Sequence, residues 1–139
     1  MTVEQNTTYS RLVQDWENKN TNDLSPIQKV ILLEKAVHVI EQRALMTLSR
    51  ITLEVILDRV LQQGHEKFPI LSKVKLINKH LSFQWLLNTS NHTPEELIEA
   101  LRFFLIEFIT VLGRITADIL TAPLHKELLK VTWTDPEET

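Results

Sequence analysis

The chain of 139 residues contains no cysteine, only two glycines and few aromatic side chains, which make up 6% of the residues. The absence of cysteine excludes a disulfide framework, a thiolate nucleophile and cysteine-ligated zinc or iron–sulfur sites. Two glycines are too few for a glycine-rich phosphate loop, and the few aromatics offer little surface for stacking bases. Acidic residues outnumber basic ones by 18 to 15, so no general nucleic-acid-binding function is expected.

The sequence does contain enough apolar material for one folded domain. Hydrophobic residues make up 43% of it, and a chain of this length buries about two-thirds of its unfolded surface on folding. We therefore expect a single domain over 1–139, with loose termini at 1–8 and 133–139. No basic segment followed by an apolar core opens the sequence, so a cytoplasmic location is expected.

A long helical pattern fills most of the first half. The segment Ser25-Pro26-Ile27-Gln28 has the N-cap serine, the N1 proline and the N3 glutamine of a capping box. Gly64 stands where a C′ glycine would end the helix. A helix over Pro26–Gln63 would be about 57 Å long, which is longer than a domain of this size needs. We expect it to kink between Gln42 and Arg50, or to pack its far end on a second subunit.

The second half also shows helical spacing. Apolar residues three or four apart predict a helix over Phe68–Leu87. The capping box Thr93-Pro94-Glu95-Glu96 begins a helix that is predicted to run to Leu120, with a middle that is apolar on nearly all sides. Charged residues interrupt that run, so it is predicted to be the buried centre of a bundle and no membrane span is expected. Pro123 is expected to end or kink it before a last short helix. No strand pattern appears, so the predicted fold class is all-α, with about five or six helices.

Glu107 is the charged residue with the most unusual surroundings. It lies in the segment Phe103-Phe104-Leu105-Ile106-Glu107-Phe108-Ile109, where a lone ionised carboxylate would be costly to bury. It must reach solvent, meet a cation or have a raised pKa. Arg43 and Arg50, seven residues apart, could supply the cation. Two interpretations stay open: a structural salt bridge, or a small polar chamber that holds an anion or an acid headgroup.

The histidines and serines predict no metal site or catalytic set. His38 shares a helix face with Glu34 and Glu41, but a di-metal bundle needs Glu-x-x-His on two helices and two further glutamates. His65-Glu66 is similar to a phospho-acceptor box, yet it follows Gly64 in a predicted turn, which favours a loop histidine. No serine lies in a glycine elbow, so the chain is not expected to be an enzyme.

The layout of the chain resembles that of the globins. A short first helix precedes a long apolar stretch, and the helix that begins Thr93-Pro94-Glu95-Glu96-Leu97 leads into Leu101 and Phe103-Phe104-Leu105 before a closing helix. Only His80 could be a proximal haem ligand, and no distal partner can be assigned, so haem is not expected. Over about Tyr9–Val131 the chain is more similar to the non-haem globin sensor domains of spore-forming bacteria. These precede stressosome proteins and a sporulation sensor histidine kinase, and also occur as stand-alone sporulation-inhibitory proteins.

This resemblance implies a non-enzymatic homodimer in which each protomer holds a fatty acid in an apolar tunnel, with a polar chamber for a small anion such as chloride. A stand-alone copy would antagonise the kinase by withdrawing its ligand or by direct contact. The residues of this chain expected at the polar end are Arg43, Arg50, His38 and Glu107. Those expected along the tunnel are Phe103, Phe104, Leu105, Phe108 and Leu112.

Two other classes of function stay open. The phenylalanines could simply fill the core of a ligand-free dimerisation or phosphorelay adaptor module. An enzyme whose site is assembled only in three dimensions is the third class.

Overall fold

The fold is that of a computed structural model, and the residues it describes are 2–68, 75–77, 80–82 and 93–133. Five helices lie in these ranges, and the all-α class is thereby confirmed; the globin-like arrangement stays a prediction. Their bounds are α1 Thr2–Asn20, α2 Pro26–Leu45, α3 Arg50–Lys67, α4 Pro94–Ile115 and α5 Thr121–Leu129. Two three-residue strands, β1 (Lys75–Ile77) and β2 (His80–Ser82), form a small antiparallel hairpin with Leu76 opposite Leu81.

The long apolar stretch is broken into two helices, as the first of the two alternatives predicted. Helix α2 ends at Leu45 and α3 begins at Arg50, inside the interval in which a kink was expected. Ser49 is the N-cap of α3, because its side chain accepts a hydrogen bond from the Thr52 amide at 3.1 Å. The capping box at Ser25 is confirmed: its hydroxyl accepts from the Gln28 amide, and its amide donates to the Gln28 side chain at 2.9 Å.

Two predictions about the middle of the chain were wrong. Gly64 does not end a helix; it is buried inside α3, and its carbonyl accepts the Phe68 amide at 2.6 Å. His65 consequently lies in the last turn of α3 rather than in a loop. A helix over Phe68–Leu87 is contradicted at 75–77 and 80–82, where the chain is extended, and the rest of 69–92 lies outside the described residues. Short apolar runs fit both periods, which is why spacing alone misassigned this segment.

The ends of two other helices also differ from expectation. Helix α1 begins at Thr2, so its first turns include residues 2–8. Contacts made by its later turns outweigh the low helix propensity of this Thr- and Asn-rich start. Helix α4 ends at Ile115, before Leu120, because Ala117 and Asp118 take left-handed backbone conformations with φ of 50° and 66°. Pro123 lies in the first turn of α5, where proline is tolerated.

Helix α4 is the centre of the bundle, as its all-round apolar sequence predicted. It packs against α1, α2 and α3, while α5 packs mainly on α2. Phe104 and Phe108 of α4 are wholly buried, as is Trp16 of α1. The Trp16 indole N–H donates to the Val131 carbonyl at 2.9 Å, which ties α1 to the end of α5.

Contacts between helices fix their directions. Helix α1 is antiparallel to α4, because the Tyr9 hydroxyl donates to Asp118 while Glu17, further along α1, pairs with Arg102. Arg43 near the end of α2 lines one cleft with Ala122 and Pro123 of the first turn of α5, so the start of α3 lies near the end of α4. The other end of α3 reaches the first half of α4, where Phe68 packs on Phe103 with ring centroids 5.5 Å apart. Helix α3 is therefore antiparallel to α4. The α2–α3 turn (46–49) and the α4–α5 turn (116–120) therefore lie at the same end of the bundle, which we call the turn end.

Tyr9 fits against Gly113 at the turn end. Burial and the hydrogen bond to Asp118 raise the pKa of Tyr9, so its hydroxyl stays a donor. A Cβ placed on Gly113 would overlap the Tyr9 hydroxyl and would lie 3.2 Å from Thr121 Oγ1. Glycine is thus required here by the close approach of a buried ring, although alanine has the higher helix propensity.

We expect Gly113→Ala to lower the free energy of unfolding by about 1–3 kcal/mol, since overpacking displaces the Tyr9 ring. In a Tyr9→Ala background only the Thr121 hydroxyl remains close, at 3.2 Å, so the same substitution should cost much less, and helix propensity should offset part of that cost. Urea denaturation of the four variants measures both effects. An equal cost in the two backgrounds would contradict the proposed steric coupling.

Candidate functional site

An open cleft of about 420 Å³, which we call the Arg43 cleft, lies between the end of α2 and one face of α5. Arg43 lines it from α2. Ala122, Lys126 and Lys130 line it from α5, where their spacing of four residues places them on one helix face. Pro123 and Glu127 complete the lining.

The cleft carries an excess of positive charge. Three cations line it, and Glu127 is the single carboxylate among its lining residues. Lys130 Nζ lies 3.3 Å from Glu127 Oε1, and Arg43 Nη1 lies 3.3 Å from the Thr47 hydroxyl to which it donates. The N-terminal end of α5 also favours negative charge, as the helix dipole does at any helix start. Its N-cap residue, Leu120, makes no side-chain hydrogen bond to the first-turn amides. This arrangement suits an anion.

The structure does not bring the four residues expected at the polar end into one site. Arg43 lines the cleft, and the other three do not. Arg50 is exposed at the start of α3, and His38 is half-buried on α2. Glu107 is partly exposed on α4 and, within the described residues, pairs with neither Arg43 nor Arg50. A salt bridge from Glu107 to these arginines is therefore not formed, and the carboxylate reaches solvent instead.

The residues expected along a tunnel lie on the buried side of α4. Four of them are wholly buried in the continuous core: Phe104, Leu105, Phe108 and Leu112. The Phe104 and Phe108 rings are 5.9 Å apart. Phe103 differs, because it is half-buried, packs on Phe68 and lies beneath the Lys67 ammonium at 5.0 Å. None of the five lines the Arg43 cleft, so the tunnel stays a prediction.

Glu17 and Arg102 form an ion pair that the sequence did not reveal. Arg102 donates from Nε and Nη2 to the two Glu17 carboxylate oxygens, both at 2.7 Å. Glu17 is buried, and its carboxylate raises the pKa of Arg102. The pair lines a smaller pocket of about 220 Å³ with Gln14 and Asn18. Because both charges are satisfied by each other, we assign this pair a structural role that joins α1 to α4.

His38 lies between two glutamates on α2. Its Nε2 is 3.7 Å from Glu34 Oε1, and its Nδ1 is 3.8 Å from Glu41 Oε1. Glu34 and then Glu41 raise the pKa of His38 to about 9, against the opposing effect of burial. Within the part of the chain that the structure describes, no group of three or more His, Cys, Asp or Glu side chains is placed to hold a metal ion.

The basic residues of α5 are the part of the site that sequence reasoning missed. The spacing of Ala122, Lys126 and Lys130 is visible in the sequence, but their position opposite Arg43 depends on how α5 packs on α2. Arg43 itself was predicted as a ligand for an acid headgroup, and it is the member of that set that lines this cleft.

Comparisons with protein-family models, curated proteins and solved structures find no match to this chain. The resemblance to non-haem globin sensor domains therefore stays a prediction. Among the described helices, none combines the length and the hydrophobicity that crossing a membrane requires.

The raised pKa of His38 predicts a pH-dependent contribution to stability. Because the folded-state pKa of about 9 lies above the ordinary 6.5, the contribution is complete below about pH 6.5 and is lost as pH rises through 9. We expect His38→Gln to lower the free energy of unfolding by about 1 kcal/mol at pH 6, a size typical of solvent-screened pairs. Near pH 10 the difference should vanish.

Chemical denaturation at a series of pH values measures this effect. His65→Gln is the matched control, because His65 is exposed at the end of α3. A His38→Gln penalty that does not change between pH 6 and pH 10 would contradict the protonated His38–glutamate interaction.

Proposed function

We propose that this chain is a non-enzymatic binding domain for an amphipathic acid, such as a fatty acid, whose carboxylate is held in the Arg43 cleft. The observation that carries the proposal is the concentration of Arg43, Lys126 and Lys130 around one open cleft with a single opposing carboxylate. The Arg43 guanidinium can donate two parallel hydrogen bonds to a carboxylate, and the lysines add charge without demanding a fixed geometry.

The apolar tail is proposed to lie along α4, on the predicted tunnel residues. Helix α2, which carries Arg43, packs directly against α4. Each methylene buried there would contribute about 0.8 kcal/mol. Since Phe104 and Phe108 are wholly buried, a tail of any length requires these rings to move. Ligand binding would therefore be coupled to a rearrangement of the core.

The proposed biological role follows the resemblance stated above. As a cytoplasmic homodimer the chain would antagonise a sporulation sensor histidine kinase. It would do so either by withdrawing the fatty-acid-like ligand from the sensor of the kinase or by contacting that sensor directly.

A second candidate is a ligand-free dimerisation or phosphorelay adaptor module. Three observations favour it: the core along α4 is built from wholly buried side chains, α3 exposes Ile51 and Val55 one turn apart, and His65 is exposed within a helix. Both candidates are dimers, so a stable dimer that shows no heat of binding with tetradecanoate would support this candidate over the first.

The proposal is tested by titrating the purified chain with tetradecanoate in a calorimeter. We expect Arg43→Gln to weaken binding by at least about tenfold, because a charge-assisted hydrogen bond is lost. Lys35→Gln is the matched control, since Lys35 is an exposed cation on the same helix that does not line the cleft. It should bind like the unsubstituted chain.

Two results would contradict the proposal. One is the absence of both binding heat and a thermal shift with tetradecanoate. The other is equal affinity of Arg43→Gln and Lys35→Gln. Octanoate distinguishes the contribution of the headgroup to binding from that of the tail. If the tail is buried along α4, octanoate should bind much more weakly than tetradecanoate, since fewer methylenes are buried.

A further inference from the structure

The turn end of the bundle exposes large apolar side chains that the core does not use. Met46 is 78% exposed, Ile119 75% and Ile51 74%, and Ile115 nearby is 54% exposed. Single exposed apolar residues are ordinary, but a group at one end of a small protein marks a surface that binds something.

These four residues lie together because of the helix directions. Phe68, at the end of α3, packs on Phe103, which lies in the first half of α4. The start of α3 follows the end of α2 after a turn of four residues (46–49), so it lies close to Met46. Met46 follows the end of α2, and Arg43 at that end lies in the same cleft as Ala122 and Pro123 of the first turn of α5.

The same end is positively charged, although the whole chain has a net charge of −3. The two turns and the helical turns that flank them, residues 42–53 and 112–124, contain three arginines and one acid, and the first turns of α1, which lie at the same end, add Glu4. The arginines are Arg43, Arg50 and Arg114, and the acid is Asp118, which accepts the hydrogen bond from Tyr9. Arg50 and Arg114 are exposed beside the apolar residues.

We propose that the turn end docks on an anionic lipid surface. Apolar side chains surrounded by arginines match the boundary between acyl chains and negatively charged headgroups, where each basic residue adds to the binding. Such docking is peripheral and needs no membrane-spanning helix.

Charge favours a lipid surface over a second copy of the chain as the occupant. A two-fold symmetric contact through this end would place the same patch on both sides. Arginines would then face arginines, with Asp118 and Glu4 as the acids that each copy brings to this end. An anionic lipid surface instead supplies a negative group for every arginine. The proposal shares Arg43 with the fatty-acid cleft, but it is tested at Arg50, Met46 and Ile119, none of which lines that cleft.

Sedimentation with lipid vesicles tests the proposal. We expect the full chain to bind vesicles that contain phosphatidylserine, to lose this binding at high salt, and not to bind vesicles of phosphatidylcholine alone. Arg50→Gln should lower the partition coefficient about fivefold. The double variant Met46→Gln/Ile119→Gln should lower it by at least about tenfold, because two apolar side chains no longer enter the acyl boundary.

Ile27→Gln and Lys35→Gln are the matched controls. Ile27 is 56% exposed in the first turn of α2, at the opposite end from Arg43, and Lys35 is exposed in the middle of that helix. Both controls should bind the vesicles like the unsubstituted chain. All of the substituted side chains are exposed, and circular dichroism verifies that each variant is folded.

Three outcomes would overturn the proposal. They are no binding to phosphatidylserine vesicles, binding that Met46→Gln/Ile119→Gln leaves unchanged, and a dimer in solution that this double variant dissociates. The last would assign the turn end to a second copy. None of them affects the fatty-acid proposal, which is measured with a soluble acid and depends on Arg43.

Discussion

The burial of α4 is the constraint on which the rest of the structure depends. A helix that is apolar on nearly all sides must be covered by other helices, and α1, α2 and α3 provide that cover. Two of the polar groups enclosed along the way are satisfied locally: Thr110 donates to the Ile106 carbonyl, and Glu17 is held by Arg102. Glu41, a further buried carboxylate, lies 3.8 Å from His38. The packing of the helices decides how the charges at the surface are grouped.

Two buried side chains of α1 then close the bundle. Tyr9 reaches the α4–α5 turn, and Trp16 reaches the carbonyl of Val131 after α5. Together they join α1 to the chain just before α5 and just after it. This explains why α5 has a fixed place on α2, and therefore why Lys126 and Lys130 stand opposite Arg43.

Local signals in the sequence were sufficient for the starts of α2 and α4 and for the central helix. Ser25 and Thr93 cap helices as expected, and the apolar run of α4 is the buried centre. The failures came where tertiary contacts decide. Gly64 is a buried helical residue rather than a terminator, and residues 75–77 and 80–82 pair as strands although their spacing also fits a helix.

The candidate site was predictable only in part, for a physical reason. Arg43 could be singled out as a cation among apolar neighbours, but whether Glu107 meets it depends on the rotation of two helices about their axes. That rotation leaves Glu107 partly exposed, and it places the lysines of α5 around Arg43 instead. A salt bridge between distant helices, such as Glu17 with Arg102, depends equally on geometry that no short sequence window contains.

The central claim is that the Arg43 cleft is an acid-binding site of this helical domain. A crystal structure of the chain grown with tetradecanoate tests it most directly. The account predicts the carboxylate within hydrogen-bond distance of the Arg43 guanidinium and the tail displacing the rings of Phe104 and Phe108. A structure in which the acid binds elsewhere, or in which the cleft is empty and the core along α4 is unchanged, would contradict it.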